Sequence, residues 1–215
     1  LAVGLQDYST ANAYRSEIST EWDGWMKDVD AVCNAPADSN ALPSDAQVIG
    51  AVNRYCPPET IVVGAAGSMP GELHKLWQVG AVDGYHMEYG FSCMGYEVAA
   101  GIGVDMAAPD RPNVIFAGDG SYLMLNAELA TAVMMGRNMT LIITDNRGFG
   151  CIKRLQAGTG GAAFNNMFVD SHHQVLPDID FVGHAAAMGA RAQKAGSVTE
   201  LEEMTRHAIA RRGVD

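Results

Sequence analysis

The sequence predicts an α/β chain in which a doubly wound parallel sheet carries helices on both faces, and three observations predict it. Two short apolar runs, Val114 to Gly118 and Met139 to Thr144, have the length and composition of strands buried on both sides. The stretch between them has helical spacing, with Ala127, Ala130, Val133 and Met134 on one face, Asn126 as the expected N-cap and Gly136 as the stop. Each strand runs out into a short acidic turn, at Asp119 and at Asp145 and Asn146. Strand, helix and strand in that order make a right-handed crossover, so the strands are parallel and the two turns share the carboxyl edge of the sheet. That edge is where open α/β sheets bind ligands.

The remaining elements follow in chain order. LAVGL and the polar residues after it, up to Tyr14, read as the tail of a preceding element. Glu17 to Val32 has helical spacing, and Ile18, Trp22, Trp25, Met26 and Val29 predict a helix docked by its tryptophans. Cys33 to Pro43 is a linker by composition, which divides the chain into a preceding tail and linker helix over 1–35 and a C-terminal domain over 36–215. Ser44 caps a helix that buries Val48, Ile49 and Val52 and is stopped by Pro57 and Pro58. IVVG, Ile61 to Gly64, is the first strand, and AAGSMPGELHKLW opens a loop at its carboxyl end that leads into a short helix. A brief strand is expected at Tyr85 to Glu88, a turn at Gly90 to Cys93 and a helix from Met94 to Ala107. Gly95, Gly101 and Gly103 each cost that helix about 1 kcal/mol against alanine, so small residues there imply close packing. Arg147 to Phe168 reads as a mobile loop, Asp178 to Met188 as a helix, ARAQKA as a short strand and Val198 to Arg211 as an amphipathic helix. A final strand is expected after that helix, so the sequence reads as cut at both ends and as lacking the last strand of its domain.

Composition narrows the function. Acidic residues outnumber basic ones, 25 against 14, and the net charge of −11 speaks against nucleic-acid or anionic-membrane binding. No apolar run approaches the roughly 18 residues of a membrane span, and no basic-then-apolar leader is visible, so a cytoplasmic location is expected. Cys33, Cys56, Cys93 and Cys151 lack the paired spacing of zinc or redox sites and read as reduced, mostly core thiols.

The turns carry the chemistry. Asp119, Asn146 and nearby backbone carbonyls form an all-oxygen set suited to Mg²⁺, while Gly120 and Ser121 add N–H groups and a hydroxyl where a phosphate would lie. GDG followed by 25 residues and then Asn146 resembles the diphosphate-binding motif of thiamine diphosphate enzymes, except that Asp145 stands where the family has the first of two asparagines. The resemblance implies the thiamine diphosphate-binding fold, with this chain as its diphosphate-binding domain. It further implies metal ligation by Asp119, Asn146 and the Gly148 carbonyl, and cofactor binding by Gly118, Gly120, Ser121, Asn146 and Gly148. SCMGYEVAAGIGVDMAAPDR resembles the segment that meets the aminopyrimidine, which puts Ser92 at the backbone contact and Met94 at the apolar prop. Ser68, on the loop after the first strand, joins the cofactor-binding candidates. The family's activating glutamate has no match here and is expected on another domain, because Glu88, Glu97 and Glu128 belong to the diphosphate-domain pattern. Alone, the chain is expected to be inactive.

AAGSMPGELHKLW, GYHMEYGFSCMGYEVAAGIGVDMAAPDR and DNRGFGCIKRLQ resemble the family of trihydroxycyclohexane-dione hydrolases of myo-inositol catabolism. That resemblance implies opening of a cyclic 1,2-dione to 5-deoxyglucuronate by C–C bond cleavage and hydrolytic release, in a homodimer or homotetramer. His74, His86 and Glu88 are the catalytic candidates, since they lie on loops near the carboxyl edge and a polyhydroxylated ring needs polar partners. His172 and His173 read as solvated or at an interface, His184 as structural, and Met134 and Met135 as core. Arg147 and Lys153 either meet a carboxylate product or face solvent. The alternatives are a carboligase or decarboxylase resembling acetohydroxyacid synthase, and a non-catalytic binding or subunit domain.

Overall fold

The computed structural model describes residues 8–36, 41–211 and 213–214. The LAVGL start lies outside the described residues, as does the middle of the linker. Four parallel strands form one sheet in the order β2-β1-β3-β4, with β1 Ile61–Gly64, β2 Tyr85–Met87, β3 Asn113–Gly118 and β4 Thr140–Thr144. The strands are short and apolar because helices cover both faces. The chain runs outward from β1 to β2, then returns past β1 to β3 and β4. The winding direction therefore reverses between β1 and β3, and that reversal is where such sheets open a crevice at their carboxyl ends.

On one face lie α1 (Asn12–Cys33), α2 (Asp45–Tyr55), α3 (Ser68–Leu76) and α9 (Val198–Ile209), whose apolar residues enclose Val62, Val114 and Phe116 of the sheet. Ser44 caps α2 in a full capping box with Gln47, and Ile49 and Val52 are fully buried, as the sequence predicts. Arg54 on α2 reaches Glu202 on α9 and Asn34 just beyond α1, which tethers the three helices at their rim. The tryptophan stripe behaves differently. Trp22 and Trp25 are exposed and α1 docks through Val29 and Cys33 near its end, so the apolar spacing predicted the helix and the burial of Val29 but not that the tryptophans would stay out of the contact.

On the opposite face, α4 (Tyr96–Ala107), α5 (Asp119–Met124), α6 (Glu128–Met134) and α8 (Phe181–Ala187) enclose Val63, Ile115 and Ala117. The single helix expected between β3 and β4 is two. α5 begins directly at Asp119, and Asn126 does not cap α6 but donates to the Leu123 carbonyl. α6 buries Leu129 and Ala132, leaving Met134 and Met135 exposed rather than in the core. Gly136 ends α6 as expected, at a φ of +60 and with the Gly136 and Arg137 N–H groups closing back on Val133 and Ala132.

The segment after β4 is not a free loop. It holds α7 (Gly150–Gly158) and a 3₁₀ turn at Phe168–Asp170. ARAQKA forms no strand; instead the Arg191 N–H donates to the Val214 carbonyl. Val214 in turn bridges Met139 in parallel, so the backbone there lies against the start of β4.

Gly101 and Gly103 test the close-packing argument separately. A Cβ on Gly101 would lie 2.8 Å from the buried Ile115 side chain, whereas one on Gly103 would meet nothing within 4 Å. Gly101→Ala is expected to destabilise the chain by about 1–3 kcal/mol through overpacking, although alanine favours the helix. Gly103→Ala is expected to stabilise it by up to about 1 kcal/mol. Urea denaturation of the two variants distinguishes the positions, and equal effects would contradict the packing account.

Candidate functional site

β3 ends at Gly118 in extended conformation and the chain turns at once into α5, which makes Asp119 the junction residue. Asp119 is only 5% exposed. Its Oδ2 accepts the Gly148 N–H at 3.0 Å, which links the end of β3 to the loop after β4. Burial raises the Asp119 carboxyl above its ordinary pKa, neighbouring Asp145 adds to the rise, and the N–H groups of Gly148, Gly120 and Asn146 oppose it. The other oxygen, Oδ1, is buried without a hydrogen-bond partner among the described residues. A buried carboxylate oxygen left bare is costly, and a cation is one of the partners that can offset the cost.

The loop after β4 is shaped to serve that carboxylate. Arg147 takes a φ of +61, its N–H donates to Asp145 Oδ1 at 3.0 Å and its guanidinium pairs with Asp178 at 2.8 Å. That pairing lowers the Asp178 carboxyl and raises Arg147, so Arg147 is engaged within the chain. Lys153 likewise pairs with Asp170 at 2.7 Å. Gly148, at a φ of +149, bridges Met167 in antiparallel fashion, and a Cβ there would come within 2.7 Å of the Met167 Cα. The Phe149 N–H donates to the Asn166 carbonyl at 2.7 Å and the Phe168 N–H to the Arg147 carbonyl at 3.0 Å. The predicted mobile segment is thus clamped beside the site. Asn146 is exposed, and its amide lies against Gly150, where a Cβ would sit 3.1 Å from Nδ2. The Phe149 ring covers Gly120, where a Cβ would fall 2.6 Å from Cε1.

Ser121 differs from the expectation in one respect. Its hydroxyl points inward, accepting the Gly95 N–H at 2.8 Å and donating to Glu97 Oε1 at 2.6 Å. The Ser121 hydroxyl is thus spent inside the chain and is not free for a phosphate. Ser68 opens α3, and its side chain lies outside the described residues.

The catalytic candidates gather around the end of β2. Glu88 spends both oxygens on its own loop, accepting the Phe91 N–H at 2.7 Å and the Cys93 N–H at 2.8 Å, and these bonds lower its pKa. Ser92 sits at a φ of +55 on that loop, ahead of half-buried Met94. His86 Nε2 lies 2.6 Å from the Tyr96 hydroxyl, with the rings stacked. His74 is exposed, edge-on to Tyr85 and Tyr89. His172 and His173 are exposed, while His184 Nδ1 meets the buried Tyr122 hydroxyl at 2.8 Å, a structural contact. Sequence reasoning missed the roles of Glu97, Gly95 and Phe149. A lone carboxylate opening the otherwise apolar helix YEVAAGIGV was the available signal for Glu97.

Residues 65–214 match the family model described as thiamine pyrophosphate enzyme, C-terminal TPP binding domain. The chain belongs to that family. Among curated relatives of this thiamine pyrophosphate domain, the 3D-(3,5/4)-trihydroxycyclohexane-1,2-dione hydrolase of Geobacillus thermodenitrificans is 34% identical over 94% of the chain and 36% of its own length. The hydrolase of the same name from Bacillus licheniformis is 40% identical over 71% of the chain and 24% of its own length. The chain therefore spans about a third or less of the length of these relatives. Benzoylformate decarboxylase from Polynucleobacter necessarius shares the fold, with a TM-score of 0.71 at 20% identity over 84% of this chain and 33% of that one.

The residues present fit the family's cofactor, thiamine diphosphate with Mg²⁺. Asp119 offers a bare buried oxygen, and the Asn146 amide and a backbone carbonyl at Gly148 are the hard-oxygen donors that Mg²⁺ prefers. Among the described residues no group of three or more His, Cys, Asp and Glu comes together, so side-chain carboxylates alone do not complete the metal's shell.

Glu97 carries a testable electrostatic signature. Burial raises its carboxyl above the ordinary value, against the pull of the Ser121 hydroxyl and the Glu97 and Gly95 N–H groups. Between the ordinary and the raised value the folded chain keeps a proton that the unfolded chain has released, so stability falls as pH rises through that window. Glu97→Gln has no such proton. The Tm of Glu97→Gln relative to the unsubstituted protein is expected to climb from mildly acidic to neutral pH in a thermal-denaturation series, and a flat difference would contradict the assignment.

Proposed function

We propose that the chain supplies the Mg²⁺- and diphosphate-holding half-site of a thiamine diphosphate-dependent hydrolase that opens a cyclic, polyhydroxylated 1,2-dione at a C–C bond. The observation that carries the half-site is Asp119 itself, buried at the crevice with one oxygen fixed by Gly148 and the other bare. The substrate class is supported by relatives at 34–40% identity that bear the dione hydrolase name.

In this reading Asp119, Asn146 and the Gly148 carbonyl hold Mg²⁺, and the backbone from Gly118 to Gly120 faces the diphosphate. Ser92 meets the aminopyrimidine through its backbone, and Met94 supports the cofactor's bend. The cofactor supplies the electron sink for bond cleavage. His86 is the proton-handling side chain, because its Nε2 already shares a short hydrogen bond with the Tyr96 hydroxyl and can pass a proton along that pair. His74, beside Tyr85 and Tyr89, lines the ring's approach. Glu88 acts by holding the 90–93 turn rather than by touching substrate. The domain division at residue 36 separates a linker helix from this half-site, and the intact enzyme is a homodimer or homotetramer with the activating glutamate on another domain. A cytoplasmic setting is supported by four free cysteines among the described residues. No helix there is long and apolar enough to cross a membrane.

Titration calorimetry with thiamine diphosphate tests the site. Binding is expected to require Mg²⁺, and Asp119→Ala is expected to weaken it by more than the about 100-fold that marks the upper end for supporting residues. Unchanged binding in Asp119→Ala would overturn the reading. His86→Ala is expected to lower kcat of dione opening in the full polypeptide by about 10²–10⁴-fold at unaltered cofactor affinity. A loss confined to cofactor binding would remove His86 from proton handling.

A further inference from the structure

Among the described residues three buried carboxylates, Asp105, Asp119 and Glu97, each keep one oxygen without a hydrogen-bond partner; Asp105 has the Arg137 guanidinium beside it at 3.5 Å, and of the two without a cationic side chain only one is accounted for by a metal. Asp119 is the first; Glu97, 1% exposed, is the second. Glu97 stands in the first turn of α4 among Val98, Ala100, Gly101 and Ile102, all buried, where an apolar side chain of similar size would pack without leaving an orphaned oxygen. Its Oε1 has one side-chain partner, the equally buried Ser121 hydroxyl. The Gly95 N–H can only donate, so its bond to Ser121 leaves the hydroxyl proton available for an acceptor. Ser121 Oγ therefore accepts from Gly95 and spends its single proton on Glu97.

We infer that Gly95, Ser121 and Glu97 form a buried staple that sets the distance between the two loops addressing opposite ends of the cofactor. Ser121 lies two residues after Asp119 on the diphosphate turn, and Gly95 follows Met94 directly on the aminopyrimidine loop. Gly95 and Ser121 are 26 positions apart in the chain, so the bond between them is tertiary and joins segments that no local geometry would hold together. Gly95 adds a second point of contact. Its φ of +89 is a left-handed conformation, and a Cβ there would lie 3.1 Å from the Leu125 Cβ and 3.2 Å from the Met124 Cβ, so the start of α4 seats directly on the end of α5. Glu97 aims the serine hydroxyl: without an acceptor buried at that point, the hydroxyl proton is free to rotate toward Gly95, where only a donor waits. The three residues are positioning residues and touch no substrate. The inference rests on the proposed assignment of Ser92 and Met94 to the aminopyrimidine and of Asp119 to Gly120 to the Mg²⁺-diphosphate.

A ligand that spans both loops senses the staple, whereas one that sits on the diphosphate turn alone does not. Thiamine diphosphate and inorganic pyrophosphate, each with Mg²⁺, are therefore titrated into the full polypeptide. Ser121→Ala is expected to weaken thiamine diphosphate by about 10–100-fold while leaving pyrophosphate within about twofold. Glu97→Gln keeps an acceptor oxygen for the serine and is expected to match the unsubstituted protein with both ligands, whereas Glu97→Leu follows Ser121→Ala. Should circular dichroism show Ser121→Ala unfolded, the comparison of Glu97→Leu with Glu97→Gln decides the question in its place. Equal weakening of both ligands, or no difference between Leu and Gln at position 97, overturns the staple. Asp119→Ala is the control: it is expected to weaken both ligands, and if it changes neither, the cofactor assignment falls and takes the staple with it.

Discussion

A carboxylate held out of water at the end of β3 is the constraint on which the rest of this structure turns. Asp119 is tolerable there only because backbone N–H groups from two separate segments converge on it, and Gly148, the donor 29 residues away, must be brought back to the edge by the crossover through α5, α6 and β4. The Gly148 donor is then fixed from behind. Its backbone pairs with residues 166–168, its conformation excludes a side chain, and Arg147 anchors the turn to Asp145 and Asp178. Each of these contacts is modest or exposed on its own, and surface ion pairs contribute little. Together they leave a single arrangement in which one Asp119 oxygen is satisfied and the other is bare.

The packing of the helices transmits that arrangement across the crevice. α4 reaches the sheet closely enough for Gly101 to touch Ile115, and the Asn113 side-chain amide donates to the Gly101 carbonyl at 2.6 Å, which fixes α4 in register with β3. Because α4 is held at that depth, its first turn carries Glu97 into the interior beside Ser121. A rigid core thus delivers buried polar groups to the crevice, and such networks specify one geometry when satisfied.

Apolar runs, glycines and caps made the strands and most of the helices legible in the sequence. β1 falls where Ile61 to Gly64 predicts it, Ser44 caps α2, and Gly136 closes α6. The failures share a cause. Trp22, Trp25 and Met134 satisfied a helical spacing, but spacing names a face and not its partner, and these side chains have no described neighbour to bury them. The glycines between Arg147 and Phe168 suggested mobility, whereas the long-range backbone pairing of Gly148 with Met167 is invisible to local patterns. At the site, the residue types of Asp119, Asn146 and Gly148 could be read directly. The inward turn of the Ser121 hydroxyl could not, since it depends on a glutamate 24 residues earlier in the chain.

The backbone supplies much of what fixes the polar side chains at this edge. Glu88 is met by the N–H groups of Phe91 and Cys93, Asp119 by those of Gly148, Gly120 and Asn146, and Ser121 by that of Gly95. Backbone donors are available to any sequence that adopts the right turns, so a cofactor half-site built this way depends on residues that permit a conformation, Gly95, Gly120 and Gly148, as much as on the residues that ligate. It also explains why the fold is shared with decarboxylases at 20% identity. The side chains clustered at the end of β2, His74, Tyr85, His86, Tyr89 and Tyr96, are not dictated by that backbone logic. They are where a common scaffold is free to differ.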